Sequence, residues 1–183
     1  MLFRSASDIG TGTYTVMSQI AAAAMGVPVE QVTFELGDST LPVAPIEGGS
    51  SHVTTIGSAV AGVCEKLQRR LWKLAARLPD SAFARTKFEG VEFTDGMLRL
   101  RASPQVAVPL GDLVGSTGES SIEEQYLMLP NMLKQRNYVR CTHSAVFCEV
   151  RVDEDFGTVR VTRVVSAIAA GRIINPLTAR SQI

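Results

Sequence analysis

Two short runs carry the residues best suited to chemistry: Gly10-Thr11-Gly12 and Gly48-Gly49-Ser50-Ser51. Glycine lets a backbone approach a ligand closely, and a helix that begins just after such a run points unpaired N–H groups at an anion. A helical pattern follows each run, from about Thr13 and from about Thr54, so the same device occurs twice. Hydroxyls of Thr11, Thr13, Ser50 and Ser51 would add neutral hydrogen bonds to phosphate oxygens, each worth about 0.5–1.5 kcal/mol net. A single such run also reads as a tight turn. The first lacks the third glycine of a dinucleotide fingerprint, and neither has the lysine of a P-loop. Together they point to a site for a large anionic cofactor.

The other titratable residues offer less. Asp8, Asp38 and Glu47 are the carboxylates nearest the runs, and each reads as a turn or cap hydrogen-bonder. His52 and His143 stand alone without a ligand set for zinc, so no metal site is expected. Cys64, Cys141 and Cys148 form no C-x-x-C pair and read as small buried hydrophobes in a reducing compartment, the cytoplasm, without structural zinc or an iron–sulfur cluster in this piece. Eighteen basic and eighteen acidic residues cancel, which leaves no basic face for nucleic acid and no polybasic membrane anchor. No apolar run approaches the roughly 18–20 residues of a membrane span. Apolar residues at 45% and charged residues at 20% describe an ordinary globular chain.

The elements that must position the two runs follow from periodicity. Leu2–Ser7 reads as a strand, Asp8–Gly12 as a polar turn, and Thr13–Met25 as a helix with Met17, Ile20, Ala21 and Ala24 on one face, ended by Gly26 and Pro28. Val32–Leu36 alternates and reads as a second strand. Ile56, Val60, Val63, Cys64, Leu67, Leu71, Leu74 and Leu78 step by threes and fours along one long helix, capped by Thr54 or Thr55 and stopped by Pro79. Arg69, Arg70, Lys73 and Arg77 form its wet face. Asp95-Gly96 between Val91–Thr94 and Met97–Leu100 predicts a hairpin with a type I′ turn. Gly115–Ser121 reads as a mobile loop, and Ile122–Asn137 reads equally as a helix or a surface excursion. Cys141–Val152 and Val159–Val165 read as paired strands, and Asn175-Pro176 opens a helix with Asn as N-cap and Pro at the first position. The expected class is α+β: two lobes, each a small mixed sheet with helices packed on one side. An α/β lobe over residues 1–78 carries both loops. A variable hairpin and connection spans 79–138, and a β-hairpin with the start of a helix spans 139–183.

Several motifs in order resemble the molybdenum-binding large subunits of the xanthine dehydrogenase and aldehyde oxidase family, the molybdenum hydroxylases. They are Asp8-Ile9-Gly10-Thr11-Gly12-Thr13-Tyr14-Thr15, Leu36-Gly37-Asp38-Ser39, Gly48-Gly49-Ser50 and Gly57-Ser58-Ala59-Val60. Toward the end come Phe147-Cys148-Glu149-Val150-Arg151-Val152-Asp153, Gly171-Arg172-Ile173-Ile174-Asn175-Pro176 and Ala179-Arg180-Ser181-Gln182. The likeness covers about residues 3–78 and 139–183.

The resemblance implies a molybdopterin cofactor, often the cytosine dinucleotide in bacteria, with FAD and 2Fe-2S clusters on partner subunits or domains. It implies that Gly10, Thr11, Gly12, Gly48, Gly49, Ser50, Ser51 and Gln182 contact that cofactor. Thr11 stands where many relatives place a glutamine, and aldehyde-oxidising bacterial relatives resemble this variant. The intact parent is expected to hydroxylate aldehydes or N-heterocycles such as purines, with a glutamate base in a Gly-x-Gly-Glu motif beyond Ile183. The chain thus reads as a catalytically incomplete piece, with the remainder of the subunit as its first partner. Such a piece is expected to expose apolar surface and to form a homodimer through it. A stand-alone nucleotide- or pterin-binding module, or an assembly module, is the alternative.

Overall fold

The computed structural model describes residues 6–41, 44–127, 133, 136–139 and 141–182. The chain divides into two compact units, Met1–Leu129 and Pro130–Ile183. Its class is α+β, and both sheets are antiparallel.

In the first unit, α1 (Thr13–Met25) packs against α2 (His52–Ala76). Val16, Met17, Ala21, Ala22 and Met25 of α1 and Ile56, Val60, Val63 and Cys64 of α2 are buried. Gly57 makes the close approach feasible: a Cβ there would lie 2.8 Å from Ile20 Cδ1. The helix α2 begins at His52, two residues earlier than its threonines suggest. Thr54 and Thr55 do not cap it; their hydroxyls donate back to the Ser51 carbonyl at 2.7 and 2.8 Å. It ends before the proline, with Arg77 as C-cap.

Gly26 ends α1 in the left-handed conformation, and its carbonyl accepts the Gly96 N–H at 2.8 Å. The chain there meets a three-stranded sheet ordered β1 (Val91–Thr94), β2 (Met97–Leu100), β3 (Ser103–Pro109). The expected hairpin forms in the expected register, Val91 opposite Leu100 and Thr94 opposite Met97. Asp95 and Gly96 take φ of 53° and 71°, as a type I′ turn requires. Leu98 of the central strand is fully buried. The strand β3 and the short helix α3 (Leu110–Gly115), which buries Leu113, lie where the sequence pattern is loosest.

Val32–Leu36 does not form the expected strand. The segment runs extended without strand assignment, and just after it Gly37 N–H bonds the Ala6 carbonyl at 3.1 Å. Of the first expected strand, Leu2–Ser7, residues 1–5 lie outside the described part, and Ala6 and Ser7 are not in a strand. The glycine-rich stretch after α3 closes in turns, with Gly118 N–H on the Gly115 carbonyl. Residues 122–127 then run as an irregular strap across α2. There Glu124 pairs with Lys66 at 3.2 Å and Arg70 at 3.2 Å, and the Tyr126 ring fills the notch left by Gly62. Most of residues 128–137 lies outside the described part.

The second unit is a two-stranded ribbon of β4 (His143–Asp153) and β5 (Thr158–Ala169) followed by α4 (Pro176–Arg180). β5 extends four residues past the expected Val165, to Ala169 opposite His143. Asn175 caps α4 as expected, its Oδ1 accepting from Leu177 N–H at 3.0 Å. Only Cys64 of the three cysteines is buried, against the expectation for all three. Cys148 sits on, and Cys141 just before, a ribbon whose residues are almost all exposed in this chain, because two strands alone cannot enclose a core.

Candidate functional site

The two glycine runs meet in the first unit. The Glu47 carboxylate joins them, taking a hydrogen bond from Thr11 Oγ1 at 3.0 Å on one oxygen and from Ser7 Oγ at 2.6 Å on the other. No local spacing announces this contact, since its partners lie 36 and 40 residues apart in sequence. The Ser7 hydroxyl chiefly, with the Thr11 hydroxyl and nearby His52, holds the Glu47 carboxyl below its ordinary value against partial burial and the repulsion of Asp8.

The first run is closed upon itself. Asp8 Oδ1 accepts the N–H groups of Gly10 and Thr11 at 2.8 and 3.0 Å, and Oδ2 accepts that of Thr13 at 2.9 Å. Burial opposes ionisation of Asp8, yet the N–H groups of Gly10, Thr13, Tyr14 and Thr11 outweigh it and hold the carboxyl low. A carboxylate of the chain thus occupies the positive end of α1, the role an N-cap fills. Gly10 and Gly12, at φ of 97° and 79°, supply the bends that carry the chain around Asp8. Thr11 Oγ1 also lies 3.3 Å from Thr13 Oγ1, so both hydroxyls are engaged.

The second run is open. Gly49 and Ser50 take φ of 60° and 55°, and Ser51 returns to the right-handed region as N-cap of α2. Two successive left-handed residues bend the chain sharply into the start of α2. Ser50 holds this conformation without being glycine, at a cost of about 1–2 kcal/mol. Ser51 Oγ donates to the Gly48 carbonyl at 3.0 Å, so it offers no cap to the helix amides. Among the described residues, the N–H groups of His52, Val53 and Thr54 meet no acceptor. Beneath them, His52 is 8% exposed, and neither ring nitrogen has a hydrogen-bond partner. By sequence His52 only stands alone without a zinc ligand set; a histidine beginning a helix directly after a glycine loop was the available signal.

The remaining assignments are placed as follows. Asp38 caps its own turn, accepting from the Thr40 hydroxyl and N–H. Gln182 lies in the second unit, where it is exposed and its N–H bonds the Ala179 carbonyl at 3.0 Å. Two concavities of the first unit follow the end of α1 and the sheet, lined by residues such as Gly26, Gln31, Gln68 and Phe88, and neither includes a residue of the two glycine runs. No group of three or more metal-ligating side chains occurs among the described residues. No described helix is long and apolar enough to cross a membrane.

Comparison with known proteins gives this geometry its context. The family model of the molybdopterin cofactor-binding domain matches residues 1–183. The aldehyde oxidoreductase molybdenum-binding subunit PaoC of Escherichia coli K12 is 38% identical over 177 residues, which cover 97% of this chain and 22% of that protein. The 6-hydroxypseudooxynicotine dehydrogenase complex subunit gamma of Paenarthrobacter nicotinovorans is 25% identical over 97% of this chain and 22% of its own length. The chain thus spans about a fifth of the length of these relatives. A crystal structure of Cu,Mo-CO dehydrogenase superposes over 97% of this chain and 22% of its own with a TM-score of 0.75 at 22% identity, a likeness of fold. Quinoline 2-oxidoreductase from Pseudomonas putida 86 superposes with a TM-score of 0.72 at 20% identity, covering 97% of this chain and 22% of its own. With a matching model along its whole length and a shared fold, the chain belongs to the molybdopterin cofactor-binding domain family, within the molybdenum-binding subunits of the molybdenum hydroxylases.

Proposed function

We propose that the Gly48–Ser51 loop and the first turn of α2 hold the phosphate end of molybdopterin, in a protein that hydroxylates aldehydes. The observation that carries this is the set of unpaired N–H groups on His52, Val53 and Thr54, beneath a loop bent at Gly49 and Ser50. Amides at a helix start favour a phosphate by direct hydrogen bonds and by the helix dipole. The orphaned His52 ring nitrogens are polar groups that a bound ligand or its waters would satisfy. These residues fit the phosphate end of the cofactor.

The first run takes a different role. The carboxylates of Asp8 and Glu47 disfavour a second anion beside Gly10, Thr11 and Gly12, so this loop is assigned to the neutral pterin edge. Thr11, whose hydroxyl proton goes to Glu47, would accept from it on the hydroxyl oxygen, and Gly12 would donate its N–H. Gln182 belongs to the proposal on its Ala179-Arg180-Ser181-Gln182 motif alone. When bound, the cofactor supplies two-electron oxygen-transfer chemistry; this chain binds and orients it. No carboxylate near the loops is assigned as the base, because Asp8, Asp38 and Glu47 are each engaged in loop hydrogen bonds. The base is assigned to a glutamate outside residues 1–183.

The aldehyde substrate rests on the 38% identity to an aldehyde oxidoreductase subunit. The cytosine dinucleotide form of the cofactor, and FAD and 2Fe-2S partners, rest on the family likeness. Association with other subunits is supported by relatives described as a subunit gamma and as a large chain. The free thiols support a reducing, cytoplasmic setting.

Pyrophosphate titration of the ¹⁵N-labelled chain tests the site. The amide signals of Ser50, His52, Val53 and Thr54 should move, while those of Gly10, Thr11 and Thr13 stay. Movement confined to the first loop, or no movement at all, would overturn the assignment.

A further inference from the structure

The second unit holds a nucleophile that cofactor binding leaves unused. Cys141 is exposed, and its Sγ lies 3.5 Å from His143 Nε2. The two residues are two positions apart where the chain enters β4, the spacing that sets side chains on one side of an extended backbone. With its ring proton on Nδ1, His143 offers Nε2 as acceptor for the thiol proton. The thiolate, not the thiol, is the attacking species in exchange with a disulfide.

Neither of the other cysteines has this arrangement. Cys148 is exposed on β4, opposite Val164, with no side-chain hydrogen-bond partner among the described residues. Cys64 is buried in α2, and burial pushes its thiol up to about 12.

We propose that Cys141, with His143 as its base, is a thiol–disulfide exchange site for small disulfides of the glutathione type. Cys141 passes its proton to His143 Nε2, and its sulfur attacks one sulfur of the disulfide. The old S–S bond breaks as the new one forms, and the departing thiolate takes the proton from His143. One disulfide and one thiol are consumed and one of each is produced, so no further oxidant is involved. Cys148 lies seven residues on, about 23 Å away at roughly 3.3 Å per extended residue. A disulfide needs its Cα atoms within about 7 Å. Cys148 therefore does not resolve the adduct within the ribbon, and the mixed disulfide persists until a reductant removes it.

The reduced chain treated with glutathione disulfide, sampled over time and mapped by peptide mass spectrometry, tests this. Cys141 should be modified about tenfold faster than Cys148, below the roughly 10²–10⁴ of a base fixed in an active site, and Cys64 should stay unmodified. His143→Gln should bring the Cys141 rate down to that of Cys148, with Cys64 protection reporting an intact first unit. Equal rates in the unsubstituted chain, a comparison that requires no variant to fold, would overturn the proposal. An undiminished Cys141 rate in His143→Gln would overturn it as well.

Discussion

Gly26 is where the helical layer is fastened to the sheet. Its φ is 63°, and a Cβ built on it would lie 2.1 Å from the Phe93 carbonyl oxygen and 2.5 Å from Thr94 N. Both are backbone atoms, so no side chain can swing away. Gly26→Ala therefore incurs about 1–2 kcal/mol for a left-handed alanine. It also forces the end of α1 off β1, with loss of the Gly96 N–H bond worth about 1 kcal/mol. Some uncovering of Met25 and Val91 adds a similar amount. The total is roughly 3–4 kcal/mol, a fall in midpoint of about 10–15 °C for a unit of this size. Gly118→Ala separates strain from collision, because Gly118 has φ of 75° with nothing within 4 Å of its Cβ position. It should cost only the strain, about 1–2 kcal/mol. The single tryptophan, Trp72 on α2, reports unfolding of this unit alone by fluorescence in urea. If Gly26→Ala destabilised no more than Gly118→Ala, the packing argument would fail.

Four further outcomes follow from the same geometry. Asp8→Ala should lower stability by about 1 kcal/mol through loss of the α1 cap, and hydrogen exchange at Thr11 and Thr13 should accelerate; unchanged exchange would contradict the capping role. Glu124 is partly buried, which works against ionisation, but hydrogen bonds and attraction from Lys66 and Arg70 hold its carboxyl below the ordinary 4.5. Its contribution is thus complete above that value and fades as pH falls through the lowered one, so the Tyr126 ring signals should move toward free tyrosine in that acid range and, in Glu124→Gln, at neutral pH. Gly62→Ala should displace the same ring, since the new Cβ would lie 2.4 Å from Tyr126 Cε1, while better helix propensity of about 1 kcal/mol leaves overall stability nearly unchanged. Native-state alkylation with iodoacetamide should spare Cys64 until the unit unfolds, as its burial dictates.

Local physics made much of this fold legible. The 3.6-residue repeat of α2, the Gly26 stop, the Asp95-Gly96 turn and the Asn175-Pro176 helix start are each decided within a few residues, and each stands where the sequence placed it. The motif order was enough to identify the family. Features that need a distant partner were not legible. Val32–Leu36 has the composition of a strand yet does not take up strand structure, while β3 has weak patterning but a ready edge on β2. The exposure of Cys148 likewise depends on what covers the ribbon and not on its alternating pattern.

The site divides along the same line. Sequence alone determined that two glycine bends precede two helices, because a bend needs only its own residues. Only the tertiary structure decided how the bends differ. It brought Glu47 to Thr11, left Asp8 on the amides of α1, and left those of α2 unclaimed. Hydrogen-bonding groups are shared among whichever segments meet in space, and that meeting is set by the packing of α1 on α2.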